Sequence, residues 1–180
     1  MSIVEIYMEK IRDLLDPSKI DLRLRENKSR GVYIQDVTEE YVGSAEEAMR
    51  VFKKGVGNRV VAFTSMNDLS SRSHMAFILT LHQNNLRDGS AKSAKLTVVD
   101  LAGSEKVSKT QAEGRVLDEA KQINKSLSSL GNVINALTDA KTNHVPYRDS
   151  KLTRLLQESI GGNSKTSLII NISPSAFNAA

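Results

Sequence analysis

The chain has 180 residues, enough for one domain with its own core, and its 39% hydrophobic and 26% charged residues are those of a soluble globular domain. Its longest apolar runs, such as 168–172, are strand-sized rather than bilayer-sized; Met1-Ser2-Ile3-Val4-Glu5 does not read as a signal peptide; and the absence of cysteine excludes disulfides and thiolate metal sites. A net charge of +4 points to a polyanionic partner without choosing among nucleic acid, a membrane surface and an acidic protein filament.

In chain order, the pattern predicts a strand over 3–7, then a short helical or turn segment to Leu15, ended by Asp16-Pro17. Residues 18–42 alternate and carry Arg23, Arg25, Lys28 and Arg30 around Gly31, which reads as short strands joined by a charged turn. Ser44, followed by Glu46 and Glu47, is an N-cap signal for a helix to about Lys54, closed by Gly55 and Gly57. Residues 58–73 are polar and mixed. A strand over 75–81 follows, then a polar connection over 84–92 containing Asp88-Gly89, then a strand over 96–101 apolar enough to be buried on both faces. The longest helix carries Ala120, Ile123, Leu127, Leu130, Ile134 and Leu137 at steps of three and four, with Asp118 and Glu119 near its start. After a turn at Pro146, a helix over 150–160 places Leu152, Leu155, Leu156 and Ile160 on one side, and Gly161-Gly162-Asn163 stops it. Residues 166–172 read as a last buried strand before Pro174. Strands alternating with helices predict an α/β layer fold with a largely parallel sheet.

Two stretches carry chemistry. In Val98-Val99-Asp100-Leu101-Ala102-Gly103 an apolar strand ends in Asp, with a Gly close behind. A nucleoside triphosphatase uses such an Asp to orient water on Mg²⁺, and such a Gly to bring a backbone N–H to the terminal phosphate. A strand-terminal Asp also commonly just caps a turn. In Asn67-Asp68-Leu69-Ser70-Ser71-Arg72-Ser73-His74, three hydroxyls and a guanidinium can ligate a metal and a phosphate, or form a polar loop with a Ser turn. Read together, the two loops would leave the same edge of the sheet, with Arg72 and Glu105 placed to form an ion pair that latches one onto the other. His74 ends its loop and can simply pack or hydrogen-bond.

These residues carry a family resemblance. Asn67–His74 resembles the first switch of kinesin motor domains, and Asp100 to Glu105 is similar to the second. Lys121-Gln122-Ile123-Asn124-Lys125-Ser126-Leu127 and His144-Val145-Pro146-Tyr147-Arg148-Asp149-Ser150-Lys151-Leu152-Thr153-Arg154 resemble the family's microtubule-facing helix pair. Glu105-Lys106-Val107-Ser108-Lys109-Thr110 and Gly161-Gly162-Asn163 look most like conventional kinesin heavy chains of fungal type; Gln111 departs from the usual Gly, and Ser65 and Leu69 are milder changes.

The resemblance implies a partial kinesin motor fold of the P-loop nucleoside triphosphatase type, with a mostly parallel central sheet flanked by helices, over residues 1–180. It also implies roles. Ser71 would ligate Mg²⁺ and Asp100 would hold it through water. Ser70 would position the attacking water, Asn67 would brace the first switch, and Gly103 would bond the γ-phosphate of ATP. Arg72 and Glu105 would form the latch, and Arg59 would lie near the nucleotide. Lys106, Lys109, Lys125, Arg148, Lys151 and Arg154, with parts of the basic segment 23–30, would face tubulin; singly, each is an ordinary solvated charge. The implied setting is the cytoplasmic microtubule cytoskeleton.

The required Gly-x-x-x-x-Gly-Lys-Ser/Thr does not occur. Gly161-Gly162-Asn163-Ser164-Lys165-Thr166 comes nearest, but Ser164 stands where Gly is needed and the helix precedes rather than follows. The family keeps that loop upstream of this region, and its last helix and force-transmitting linker downstream. The expectation is therefore a truncated or split motor domain, a microtubule-stimulated ATPase in its parent. By itself it would have weak or no ATP binding, no useful hydrolysis, and a tendency to self-associate or swap. The alternative is a non-catalytic microtubule-binding module. Nucleic-acid binding rests on the basic excess alone, without aromatic platforms, and neither it nor a membrane partner is expected.

Overall fold

The computed structural model describes residues 1–28, 30–61, 72–104 and 115–171. Strand β1 (Ser2–Tyr7) turns directly into β2 (Lys10–Asp13), so the segment read as helical or turn is the second arm of a hairpin. The turn residues Met8 and Glu9 both take left-handed backbone (φ 48° and 58°), as a two-residue hairpin requires, without the Asn-Gly that would have announced it. The end of β2 is pinned by Asp13, whose fully buried carboxylate accepts the backbone N–H groups of Leu15, Asp16 and Thr38. A second hairpin, β3 (Leu24–Asn27) and β4 (Gly31–Ile34), matches the short strands expected around Gly31.

Helix α1 (Ala45–Val61) starts where Ser44 predicts: Ser44 Oγ accepts the Glu47 N–H at 3.2 Å, and the Glu47 carboxylate accepts that of Gly43 at 2.7 Å. It does not stop at its glycines. A Cβ on Gly55 would sit 2.7 Å from Ile3 Cδ1, so this glycine is the place where the helix touches the sheet, not where it ends.

Strands β5 (His74–Asn84) and β6 (Ala91–Asp100) form a long hairpin, closed at a turn where Gly89 has φ 70°. The four-stranded sheet runs β2-β1-β5-β6, and every pairing among the described residues is antiparallel, where the alternating pattern predicted mainly parallel strands. For two of the three pairings the reason is connectivity: β1–β2 and β5–β6 are joined by turns, which only antiparallel neighbours allow, and β5 then lies antiparallel to β1 across the long connection through α1. Strand β6 is also not buried on both faces, since Leu96 and Val98 are about half exposed.

Strand alternation divides the core in two. Ile3, Leu14, Leu15 and Met75 face α1, through Val51, Phe52 and Val56, with Phe52 set edge-on to Phe77 at 5.8 Å. Val4, Ile6, Ala76 and Ile78 face the other way, onto Leu152, Leu155 and Leu156. On that side lie α2 (Arg115–Thr138), a 3₁₀ turn (Tyr147–Asp149), α3 (Lys151–Leu155) and α4 (Gln157–Gly161). The helix expected over 150–160 is thus two short ones, broken at Leu156 (φ −87°, ψ 1°). Ser150 and Thr153 form a capping box at the start of α3, and Glu9 accepts the Lys151 N–H at 2.7 Å.

Helix α2 buries Ile123, Ser126, Ser129 and Val133, while Ile134 and Leu137 of the expected stripe are exposed. The buried line is therefore offset by one position from the apolar one. Ser126 tolerates burial because its hydroxyl is satisfied twice, as shown below. Residues 166–171 form no strand, and Leu168, Ile169 and Ile170 are exposed, because no described strand lies alongside to pair with them. No helix among the described residues is long and apolar enough to cross a membrane.

Candidate functional site

The Met75–Asp100 pairing brings the start of β5 and the end of β6 together at one end of the sheet. The backbone therefore leads Arg72 and Ser73 into the site from one side and Leu101 to Gly103 out from the other. Asn67, Ser70, Ser71, Glu105, Lys106 and Lys109 lie outside the described residues, so the expected metal ligation by Ser71 and the Arg72–Glu105 latch do too.

Arg59, near the C-terminal end of α1, is the hub of the described part. Its side chain is 10% exposed. One terminal nitrogen donates to Asp100 Oδ2 at 3.0 Å; the other donates to the Ser73 carbonyl at 3.0 Å and to Ser73 Oγ at 3.2 Å. Its Nε lies 3.6 Å from Glu5 Oε1. Glu5 is fully buried and takes the Ser73 hydroxyl at 2.7 Å on Oε1 and the Arg12 guanidinium on Oε2. Two guanidinium groups and two carboxylates thus alternate in a neutral row, which is what allows a full charge such as Glu5 to sit in the interior. Strand geometry assembles it: Ile3, Glu5 and Met75 share the α1 face, and Asp100 lies directly opposite Met75.

Asp100 is the open end of that row, with its side chain 61% exposed. Among the described residues no cluster of three His, Cys, Asp or Glu could cage a metal ion. A single exposed carboxylate does suit Mg²⁺, which keeps several waters and is commonly held by one or two carboxylates with substrate phosphates. Gly103 lies just beyond, in the irregular segment after β6.

On the opposite face of β5, His74 is 3% exposed. Its Nδ1 accepts the Ala102 N–H at 3.0 Å and its Nε2 meets Ser126 Oγ at 2.7 Å. Burial, reinforced by the positive charge of Arg59 and opposed by Asp100, lowers its pKa to about 4, so the ring is neutral near pH 7.

The expected partner-facing cations divide. Lys125 is exposed on α2, Lys151 is half-buried, and Arg148 is 79% exposed. Arg154 turns inward: it is 17% exposed, bonded to Glu26 of β3 and, at 2.7 Å, to Gln157. Arg148 reaches the same Glu26 carboxylate at 3.9 Å, so the basic β3–β4 hairpin, with Arg23, Arg25, Lys28 and Arg30 all exposed, sits against the 3₁₀ turn and α3.

Sequence reasoning missed Glu5, Arg12, Ser126 and Glu26. Glu5 did carry a signal, as a lone carboxylate inside the apolar run Ile3-Val4-Glu5-Ile6. Ser126 carried none, being one of several serines on its helix.

Comparison with known proteins bears on the family and the fold. The family model described as Kinesin motor domain matches residues 1–180. Kinesin heavy chain of Syncephalastrum racemosum is 61% identical over 180 residues, covering 100% of this chain and 19% of that protein. Kinesin-related protein 3 of Dictyostelium discoideum is 62% identical over 179 residues, covering 99% of this chain and 15% of that protein. A fast kinesin, whose structure was described for its implications for ATPase mechanism and interactions with microtubules, superposes with a TM-score of 0.90 at 61% identity, over 98% of this chain and 50% of that one. The C-terminal motor and motor homology domain of Kar3Vik1 superposes with a TM-score of 0.83 at 41% identity, over 97% of this chain and 46% of that one. The chain therefore spans under a fifth of these two relatives and half of the solved fast-kinesin chain. With its whole length matched by one family model and its fold shared with solved motors, the chain belongs to the kinesin motor domain family.

Proposed function

We propose that these residues form the nucleotide-sensing and microtubule-binding part of an ATP-driven kinesin motor. The observation that carries the reading is the Arg59 junction, which ties the approach to β5, at Ser73, to the end of β6, at Asp100. In this reading Asp100 would hold Mg²⁺ through water and Ser71 would ligate it. Ser70 would position the attacking water, Asn67 would brace its loop, and the Gly103 N–H would meet the γ-phosphate. Arg72 and Glu105 latch the two loops, with Arg59 close by. Mg²⁺ would supply charge neutralisation between the phosphates; the residues named here orient and sense. Lys106, Lys109, Lys125, Arg148 and Lys151 face tubulin, while Arg154 acts there through its bond to Glu26. The setting is the cytoplasmic microtubule cytoskeleton, with neither nucleic acid nor membrane as partner.

Residues 1–180 act in this reading as part of a motor domain whose phosphate loop lies upstream and whose last helix and linker lie downstream. The sequence contains no Gly-x-x-x-x-Gly-Lys-Ser/Thr, whose backbone N–H groups and Lys supply much of the charge stabilisation in phosphoryl transfer. The 180-residue chain alone is therefore an ATPase-deficient microtubule-binding module. The exposed Leu96, Val98, Leu168, Ile169 and Ile170 also favour self-association or swapping; a clean monomer in light scattering at high concentration would count against that. Co-sedimentation tests the whole reading. The chain should pellet with microtubules, less so as salt rises, and hydrolyse no ATP above a no-protein blank. Supplied with the phosphate-loop half, it should be released by ATP. Failure to pellet at low salt would sink the reading, and turnover by the chain alone would overturn its ATPase deficiency.

A further inference from the structure

The face of β5 turned away from Arg59 carries a second polar connection that the proposed chemistry does not use. Ala102, His74, Ser126 and Ile123 are all buried, and three hydrogen bonds join them in a line. The direction of each bond is fixed by chemistry. His74 Nδ1 accepts the Ala102 N–H, so it carries no proton, and the neutral ring must hold its proton on Nε2. Nε2–H then donates to Ser126 Oγ at 2.7 Å, which leaves the hydroxyl proton for the Ile123 carbonyl at 2.7 Å. Each of the three protons in the line thus has its own acceptor.

Placement gives this line its meaning. Ala102 is the residue before Gly103, and Ser126 is the residue after Lys125. Successive strand residues point to opposite faces, so Ser73 meets the Arg59 junction while His74 meets α2. The mouth of β5 therefore touches both halves of the site. A hydrogen bond tolerates only roughly 0.5 Å of lengthening, whereas sliding α2 by one residue moves it about 1.5 Å. The loop and the helix cannot shift independently while both ring nitrogens stay bonded.

We infer that His74 is a positioning residue that couples the loop at Ala102 to helix α2 through Ser126, so that movement of either is imposed on the other. The inference deepens the motor reading and rests on it for its purpose, joining a ligand-sensing loop to a partner-facing helix; the coupling itself needs neither nucleotide nor microtubule. The 180-residue chain therefore tests it directly.

Amide hydrogen exchange is followed in the wild type, Ser126→Ala and Ser126→Thr. Ser126→Ala should speed exchange at Ala102, 24 positions away in sequence, by about tenfold, and Ser126→Thr, which keeps the hydroxyl, should restore it. Faster exchange confined to α2, with Ala102 at its wild-type rate, would overturn the inference. Ring ¹⁵N shifts of wild-type His74 supply an arm that needs no variant to fold: the proton should be on Nε2, and a proton on Nδ1 would overturn the relay. With microtubules added, Ala102 should gain protection in the wild type but not in Ser126→Ala. A chain that does not pellet defeats the functional reading and leaves the exchange and ring arms to decide the coupling.

Discussion

Replacing Glu5 by Gln removes one charge and almost no volume from the centre of the sheet. In the native chain that carboxylate is fully buried, with Arg12 on one oxygen and Ser73 and Arg59 on the other. Gln keeps a carbonyl for the Ser73 hydroxyl but leaves two guanidinium groups facing a neutral amide. Removing one partner of a buried ion pair costs about 3–5 kcal/mol. The Arg12 side chain is 23% exposed and recovers some solvation, whereas Arg59, at 10%, recovers little but keeps Asp100. The expected loss is therefore at the low end, about 3 kcal/mol, which for a domain of this size lowers Tm by roughly 6–12 °C. Urea unfolding followed by circular dichroism, with an unchanged m-value, measures it. Arg12→Met should be milder, about 1–2 kcal/mol, since Glu5 keeps Arg59 and Ser73. A Glu5→Gln protein within 0.5 kcal/mol of wild type, or more stable, would refute the view that this row is held by its charges.

Acid should act through His74. Its pKa is 6.5 when unfolded and about 4 when folded, so between these values only the unfolded chain takes up the proton, and stability falls as pH falls. Roughly 2 kcal/mol should be lost between pH 7 and pH 5, and a His74→Asn variant should lack that part of the slope in urea titrations. The two glycines of α1 should respond oppositely to alanine. Gly57→Ala meets nothing within 4 Å and should stabilise by about 0.5–1 kcal/mol, whereas Gly55→Ala drives a methyl into buried Ile3 and should destabilise by about 1–2 kcal/mol; thermal melts of the pair decide. Ser150→Ala removes the capping box of α3 and should lower stability by about 1 kcal/mol in the same assay.

Local rules made some elements legible. Ser44 marked the start of α1 because an N-cap works through neighbours three residues away, and Ile3 to Tyr7 and Met75 to Leu81 read as strands because alternation and β-branching are properties of the segment itself. Asp100 and Gly103 stood out as candidates because ligand-sensing chemistry needs those residue types at that spacing, and the fold sets Asp100 at the open end of the Arg59 row. Tertiary structure alone decided the rest. By sequence Gly55 reads as a helix stop; in the fold Ile3 occupies the space a side chain there would need. Residues 166–171 looked like a strand, but backbone hydrogen bonds require a partner that no local pattern supplies. Strand direction within the β1–β2 and β5–β6 hairpins followed from the turns at Met8-Glu9 and Gly89, whereas that of β1 against β5 was set by packing across a long connection. Glu5 beside Arg59, His74 beside Ser126 and Glu26 beside Arg154 join residues far apart in the chain, and only packing brings them within a hydrogen bond's reach. Sequence thus fixes what each segment can do alone, while burial and pairing, which depend on what lies alongside, choose which charges meet and which hydroxyls are hidden.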